Sequence, residues 1–208
     1  AVEDIREACD VLRSVYDEAG GADGFVSLEV SPHLADDTAG TLDEARRLAA
    51  DVDRPNLLIK VPATPEGLPA VEQLLTEGIN VNITLIFAQT VYAAVAEAYL
   101  KALEAREARG EPLDRVASVA STFVSRIDTA VDAKLEEAIA QRPERSAKLR
   151  ALLGKVAVAN SKAVYQRFLD IFSAERFQRL AAKGAQKQRP LWASTSTKNP
   201  AYPETLYV

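Results

Sequence analysis

The chain has 208 residues, 48% of them hydrophobic and 26% charged, with a net charge of −5. That is ordinary composition for one soluble domain with a substantial core, and mild acidity with scattered lysines and arginines argues against a nucleic-acid surface. No apolar run approaches membrane-spanning length, the acidic start Ala1-Val2-Glu3-Asp4 is unlike a signal peptide, and the lone Cys9 excludes an intrachain disulfide, so a reducing cytoplasmic setting is expected.

Helix-like and strand-like segments alternate along the chain. Ile5 to Ala19 has helical apolar spacing, places Cys9 on a packed face, and ends at Gly20-Gly21. Phe25 to Val30 reads as a strand stopped by Ser31-Pro32, and Thr41 to Ala50 as a second helix. Leu57-Leu58-Ile59-Lys60-Val61-Pro62-Ala63-Thr64 reads as a buried parallel strand; Thr64 then caps a helix with Pro65 in its first turn and Gly78 at its close. Ile79 to Phe87 is the next strand, Gln89 to Arg109 a long helix, Val116 to Val124 a strand, and Ile127 to Ala140 a helix. Helical pieces over Ser146 to Asp170 and Ala174 to Lys183 precede an extended Arg189 to Ser194. Repeating βα units with no linker imply one domain, 1–208, of parallel strands covered by helices.

Two architectures suit such a pattern, an open doubly wound sheet and a closed (β/α)8 TIM barrel. A nucleotide-binding open sheet would usually carry a glycine-rich turn after its first strand, and this chain has none. Several strands instead carry polar residues on one face. Asn80, Asn82 and Thr84 alternate with Val81, Ile83 and Leu85, and Ser27 and Glu29 alternate with Val26, Leu28 and Val30. An apolar side under helices and a polar side converging at strand C-termini is the pattern of a barrel with its site on top. For Asn80 the alternative is hydrogen bonding inside a filled barrel.

Lys60 is the most informative residue. A cationic amine on a buried strand is costly unless paired or neutral, and a desolvated lysine loses its proton more readily and can then attack a ketone to form a Schiff base. The alternative is an ammonium that snorkels past the strand end into solvent.

Together, Ser27-Leu28-Glu29-Val30, Leu58-Ile59-Lys60-Val61-Pro62-Ala63-Thr64, Gly78 to Phe87 and Ser121-Thr122-Phe123-Val124-Ser125-Arg126-Ile127-Asp128 resemble transaldolase in order and spacing. Trp192-Ala193-Ser194-Thr195-Ser196-Thr197-Lys198-Asn199-Pro200 is similar to the longer bacterial transaldolases of the actinobacterial type. The resemblance spans essentially the whole chain. It implies a cofactor-free class I aldolase barrel of the pentose phosphate pathway, a transferase moving a dihydroxyacetone unit from sedoheptulose 7-phosphate to glyceraldehyde 3-phosphate. By the same resemblance Lys60 is the Schiff-base lysine, Glu29 and Thr84 orient a water for proton transfers, and Asn82 hydrogen-bonds the dihydroxyacetone hydroxyls. An ion pair between Glu29 and Lys60 is compatible with those roles.

The substrate phosphate needs donors at the barrel mouth. Arg126, directly after a strand, suits bidentate contact with phosphate oxygens, and Ser121 adds a hydroxyl; a surface pair with Asp128 is the alternative for the arginine. The family pattern also supplies a serine and a second arginine later in the chain. Ser194 matches the serine, but the nearest cation is Lys198, a point charge rather than a planar fork. His33 reads as a solvated loop histidine, and with no cluster at ligand spacing no metal site is expected.

A closed barrel usually takes eight strands and roughly 250 residues, whereas about five of eight βα units are legible here. Matched to the family, the chain starts in the helix before the third strand and stops soon after the seventh. The first-strand aspartate that serves as acid and base for bond cleavage, and a second-strand asparagine, have no counterpart. The expectation is a fragment lacking both ends of the barrel, which would self-associate or take up a complementing piece. Another Schiff-base sugar-phosphate aldolase and a noncatalytic barrel fragment are the competing readings.

Overall fold

The computed structural model describes residues 2–207. The N-terminal helical segment comprises α1 (Val2–Val11) and α2 (Arg13–Glu18). The continuous helix expected from Ile5 to Ala19 is therefore broken at Leu12. Five parallel strands follow, β1 (Val26–Glu29), β2 (Leu57–Pro62), β3 (Val81–Ile86), β4 (Ser118–Phe123) and β5 (Arg189–Ala193), in spatial order β1-β2-β3-β4-β5. Helices α3 (Thr38–Val52), α4 (Gly67–Thr76) and α5 (Gln89–Ala108) link the first four strands. Between β4 and β5 run α6 (Ser125–Gln141), α7 (Ser146–Arg150), α8 (Val156–Ser173) and α9 (Glu175–Ala181). The helix expected over Ser146 to Asp170 is thus two, separated by a turn in which Gly154 takes φ +67°.

The strand order distinguishes the two architectures. A doubly wound sheet reverses its order at a switch point and carries helices on both faces. Here the order never reverses, so crossovers of one hand lay every linking helix on the same face, as in an arc of a (β/α)8 barrel.

Period-two alternation then divides the side chains. Leu57, Ile59 and Val61 of β2 and Val81, Ile83 and Ile86 of β3 join one apolar cluster with Leu74 and Leu75 of α4, Tyr92, Val95 and Tyr99 of α5, and Phe172 and Phe177 of α8 and α9. Burying each large side chain contributes about 1.5–3 kcal/mol, so this layer is what holds the strands to their helices. Cys9 packs fully buried in the same cluster, and burial pushes its thiol pKa up. The opposite face carries Ser27, Glu29, Lys60, Asn82 and Ser121.

Local chemistry sets the element ends. Asp37 caps α3 by accepting from Gly40 N at 3.0 Å, and Asp53 ends it in the left-handed region at φ 48°. Thr64 Oγ1 accepts from Gly67 N at 3.0 Å, as expected of a cap, although α4 proper begins two residues beyond Pro65. The parallel register of β3 and β4 shifts between Ile83 and Ile86, and Leu85 sits there at φ 61°. This bulge corrects the simple alternation expected for β3, because Leu85 is 41% exposed while Ile86 resumes the core.

Candidate active site

The inner face is assembled by register. Glu29 is paired with Lys60 across β1 and β2, Lys60 with Asn82 across β2 and β3, and Pro62 with Thr84 one step further up. Paired residues of parallel strands project to the same side, so Glu29, Lys60, Asn82 and Thr84 converge toward the strand C-termini.

Lys60 Nζ donates to Glu29 Oε2 at 2.9 Å, with the two side chains 28% and 46% exposed. The lysine is half-buried and ion-paired rather than isolated in an apolar strand, the pairing with Glu29 held compatible with its role in the sequence reading. A proton must leave an amine before its nitrogen can attack a carbonyl, and the Glu29 carboxylate is the charged group in contact with this one. Neither competing reading stands alone, since pairing and half-exposure coexist.

Asn82 is buried beside this pair and held from both sides. Its Nδ2 donates to Ser27 Oγ at 3.1 Å, and its Oδ1 accepts from Ser121 Oγ at 2.7 Å. Ser121, only 2% exposed, is therefore committed to Asn82 and lies within the sheet rather than at the mouth. Thr84 is 1% exposed, and its Oγ1 has no protein hydrogen-bond partner. Asn80 precedes β3 and accepts from Ala117 N at 2.8 Å, the structural role held open for it.

The mouth beyond β4 carries Arg126, exposed at the start of α6 with its guanidinium carbon 4.8 Å from the centroid of the Phe123 ring. Phe87 packs on Phe123 at 5.4 Å between ring centroids, so an aromatic pair props the arginine at the top of β3 and β4. The alternative of an Arg126–Asp128 ion pair does not occur. Asp128 is buried, accepting from Ala157 N and Tyr207 OH, each at 2.8 Å. Among the described residues Arg126 enters no ion pair.

Ser194 is brought to the same end by α6. Ser125 N donates to Ser194 O at 2.9 Å, the two hydroxyls lie 2.8 Å apart, and Ser194 takes φ 57°. Lys198 is not gathered in: its Nζ donates to Ser196 Oγ at 2.6 Å, and it borders a cleft with Asp128, Asp132 and Glu136 on α6. The segment after Ser194 is tied to that helix by Tyr202 OH to Asp132 Oδ2 at 2.6 Å and by the Tyr207 bond. Burial, then the neighbouring carboxylate, pushes the Tyr202 phenol up to about 12 and raises Tyr207 as well.

His33 is exposed in a short 3-10 turn, where Ser31 Oγ accepts from its backbone N–H. Among the described residues no three of His, Cys, Asp or Glu cluster in a way that could hold a metal ion, and no helix is long and apolar enough to cross a membrane. Reading the sequence left Ser27 and Ser125 without roles. For Ser27 the signal was present, since it shares the Glu29 face of its strand; for Ser125 there was none.

A family model described as Transaldolase/Fructose-6-phosphate aldolase matches residues 1–208. A transaldolase of Trichodesmium erythraeum is 51% identical over 208 residues, covering 99% of this chain and 55% of that protein. A transaldolase of Parafrankia sp. is 53% identical over 205 residues, covering 99% and 54%, and a protein named transaldolase 2 of Nostoc sp. is 49% identical over 208 residues, covering 99% and 55%. The chain spans about half the length of the curated relatives it matches.

Proposed function

Given that this chain belongs to the transaldolase/fructose-6-phosphate aldolase family, we propose that it carries the imine-forming half of a transaldolase site, with Lys60 as the nucleophile. The reaction is transfer of a dihydroxyacetone unit from sedoheptulose 7-phosphate to glyceraldehyde 3-phosphate in the pentose phosphate pathway, set in the cytoplasm. The observation that carries this reading is the Lys60 Nζ to Glu29 Oε2 contact of 2.9 Å on the inner face, beside the clamped Asn82 amide.

The chemistry follows from that arrangement. Glu29 takes a proton from Lys60, and the free amine adds to the ketone carbon of the donor to give a carbinolamine. The carbinolamine oxygen is then protonated and leaves as water, with the Thr84 hydroxyl orienting the water that relays the proton, and a cationic imine remains. In the family's reaction a base then removes the proton of the hydroxyl beyond the breaking bond, an aldehyde departs, and the imine takes up the electron pair and holds the three-carbon piece; that base, the first-strand aspartate of the family pattern, has no counterpart in this chain. Asn82 presents its remaining N–H and lone pair to the donor's hydroxyls. Arg126 at the mouth suits the phosphate, its planar fork left free of carboxylates. Ser194 is the second phosphate donor of this reading, while Lys198, facing α6, is poorly placed to be a third.

Borohydride reduction in the presence of fructose 6-phosphate tests the reading. A reduced donor adduct is expected on Lys60 by peptide mapping, and Lys60→Arg is expected to abolish it without unfolding the chain, since a guanidinium keeps the charge but is not a usable nucleophile. An adduct mapped to another lysine removes the central claim.

A further inference from the structure

The Asn82 amide is tied down across three strands. Ser27 on β1 accepts from its Nδ2 at 3.1 Å, and Ser121 on β4 donates to its Oδ1 at 2.7 Å. Between β1 and β3 lies β2, so the Ser27 bond spans the strand that carries Lys60, whose register partner is Asn82 itself. The χ2 torsion of asparagine is broad and nearly two-fold, so a free amide would sample many planes. Bonded at both ends it has one, and a carboxamide with two donors and two lone pairs keeps one of each for a ligand.

We propose that Ser27 is a positioning residue of this site: by holding the Asn82 amide plane, it sets the direction in which Asn82 meets the hydroxyls of a ketose bound at Lys60. This rests on the reading of Lys60 and Asn82 above. Glu29 and Ser27 thereby divide the work of β1, one reaching the nucleophile on β2 and the other the hydroxyl-binding amide on β3. Ser27 is exposed on the inner face and outside the apolar cluster, so removing its hydroxyl leaves the packing layer untouched. Its loss weakens donor recognition without altering the amine or its base.

The experiment compares the 208-residue chain with its Ser27→Ala and Ser27→Thr variants by borohydride trapping over a range of fructose 6-phosphate concentrations. The Asn82 side-chain amide resonances of each are recorded without ligand. Ser27→Ala is expected to raise the half-saturating donor concentration about fivefold, the fold-change of one neutral hydrogen bond, with the maximal trapping rate unchanged. Ser27→Thr, which keeps the hydroxyl, restores the original value, and the Asn82 amide protons lose their exchange protection only in the alanine variant. An unchanged half-saturation in Ser27→Ala, an equal loss in both variants, or Asn82 amide protons indifferent to the substitution overturns the assignment. If the unaltered chain traps nothing, the imine reading fails by itself, and the amide spectra still decide whether Ser27 holds Asn82.

Discussion

Thr84 and Thr122 offer a matched pair of perturbations on opposite faces of the same sheet. Both are essentially buried, at 1% and 0% exposure, and neither Oγ1 has a protein hydrogen-bond partner. Thr84 shares the Lys60 face through its pairing with Pro62, whereas Thr122 is opposite Ile86 and turns toward the helix layer. Threonine and valine are nearly the same shape, so Thr→Val removes the hydroxyl without leaving a cavity. Burying a hydroxyl without a compensating bond costs about 1–3 kcal/mol in protein mutational data. Thr122→Val is therefore expected to stabilise the chain by about 1–2 kcal/mol, read as a raised urea midpoint at unchanged slope. Thr84→Val should gain less, because the Thr84 hydroxyl is given a water partner in the site. The two then part: the initial rate of borohydride trapping should be unaffected by Thr122→Val and fall by about 100-fold in Thr84→Val, the lower end of the range for a positioned proton transfer. Equal trapping in the two variants would refute the role given to Thr84, and a destabilising Thr122→Val would refute the view that its hydroxyl is an uncompensated burden.

Arg126→Ala should weaken phosphorylated ketose donors by about 1.5–3 kcal/mol, the scale of a charge-assisted hydrogen bond, and unphosphorylated ones far less; equal losses measured by donor titration would mark a structural arginine. Tyr207→Phe removes a bond to the buried Asp128 carboxylate and is expected to cost about 1.5–3 kcal/mol in urea unfolding. Asp128→Ala should cost more, because it also strips the acceptor from Ala157 N at the start of α8; a cost below that of Tyr207→Phe would contradict this. The Tyr202 phenol is pushed up to about 12, so above the ordinary tyrosine value near 10 the unfolded chain releases its proton first and the folded chain binds more protons. Stability is accordingly present below that range and declines as pH rises from about 10 to 12; Tyr202→Phe should flatten the decline in melting temperature, and an unaltered slope would show that this phenol is not responsible.

Much of the fold is legible locally. Period-two alternation, glycine stops and the Thr64 cap are short-range signals, and each of the five expected strands is present within two residues of its expected ends. Lys60 stood out for the same reason, as a charged residue on an otherwise apolar strand. The mistakes were also local in origin. Apolar spacing carries no mark of the break at Leu12, and alternation through Leu85 misses a bulge because the extra residue is defined only against the facing strand.

The residues of one chain determine on their own which side chains share a strand face, because Cβ direction alternates with sequence. They do not determine how far those side chains reach across neighbouring strands. The Ser27–Asn82 and Asn82–Ser121 bonds join residues 55 and 39 positions apart, and the Tyr207–Asp128 bond joins residues 79 apart. Each depends on inter-strand register, sheet curvature and the path of a returning segment, which are set by the packing of the whole layer against its helices. For that reason the lysine, glutamate and asparagine could be put on the polar faces of their strands from sequence. Their pairing, the second anchor at Ser27, and the turning of Lys198 toward α6 were decided only in three dimensions.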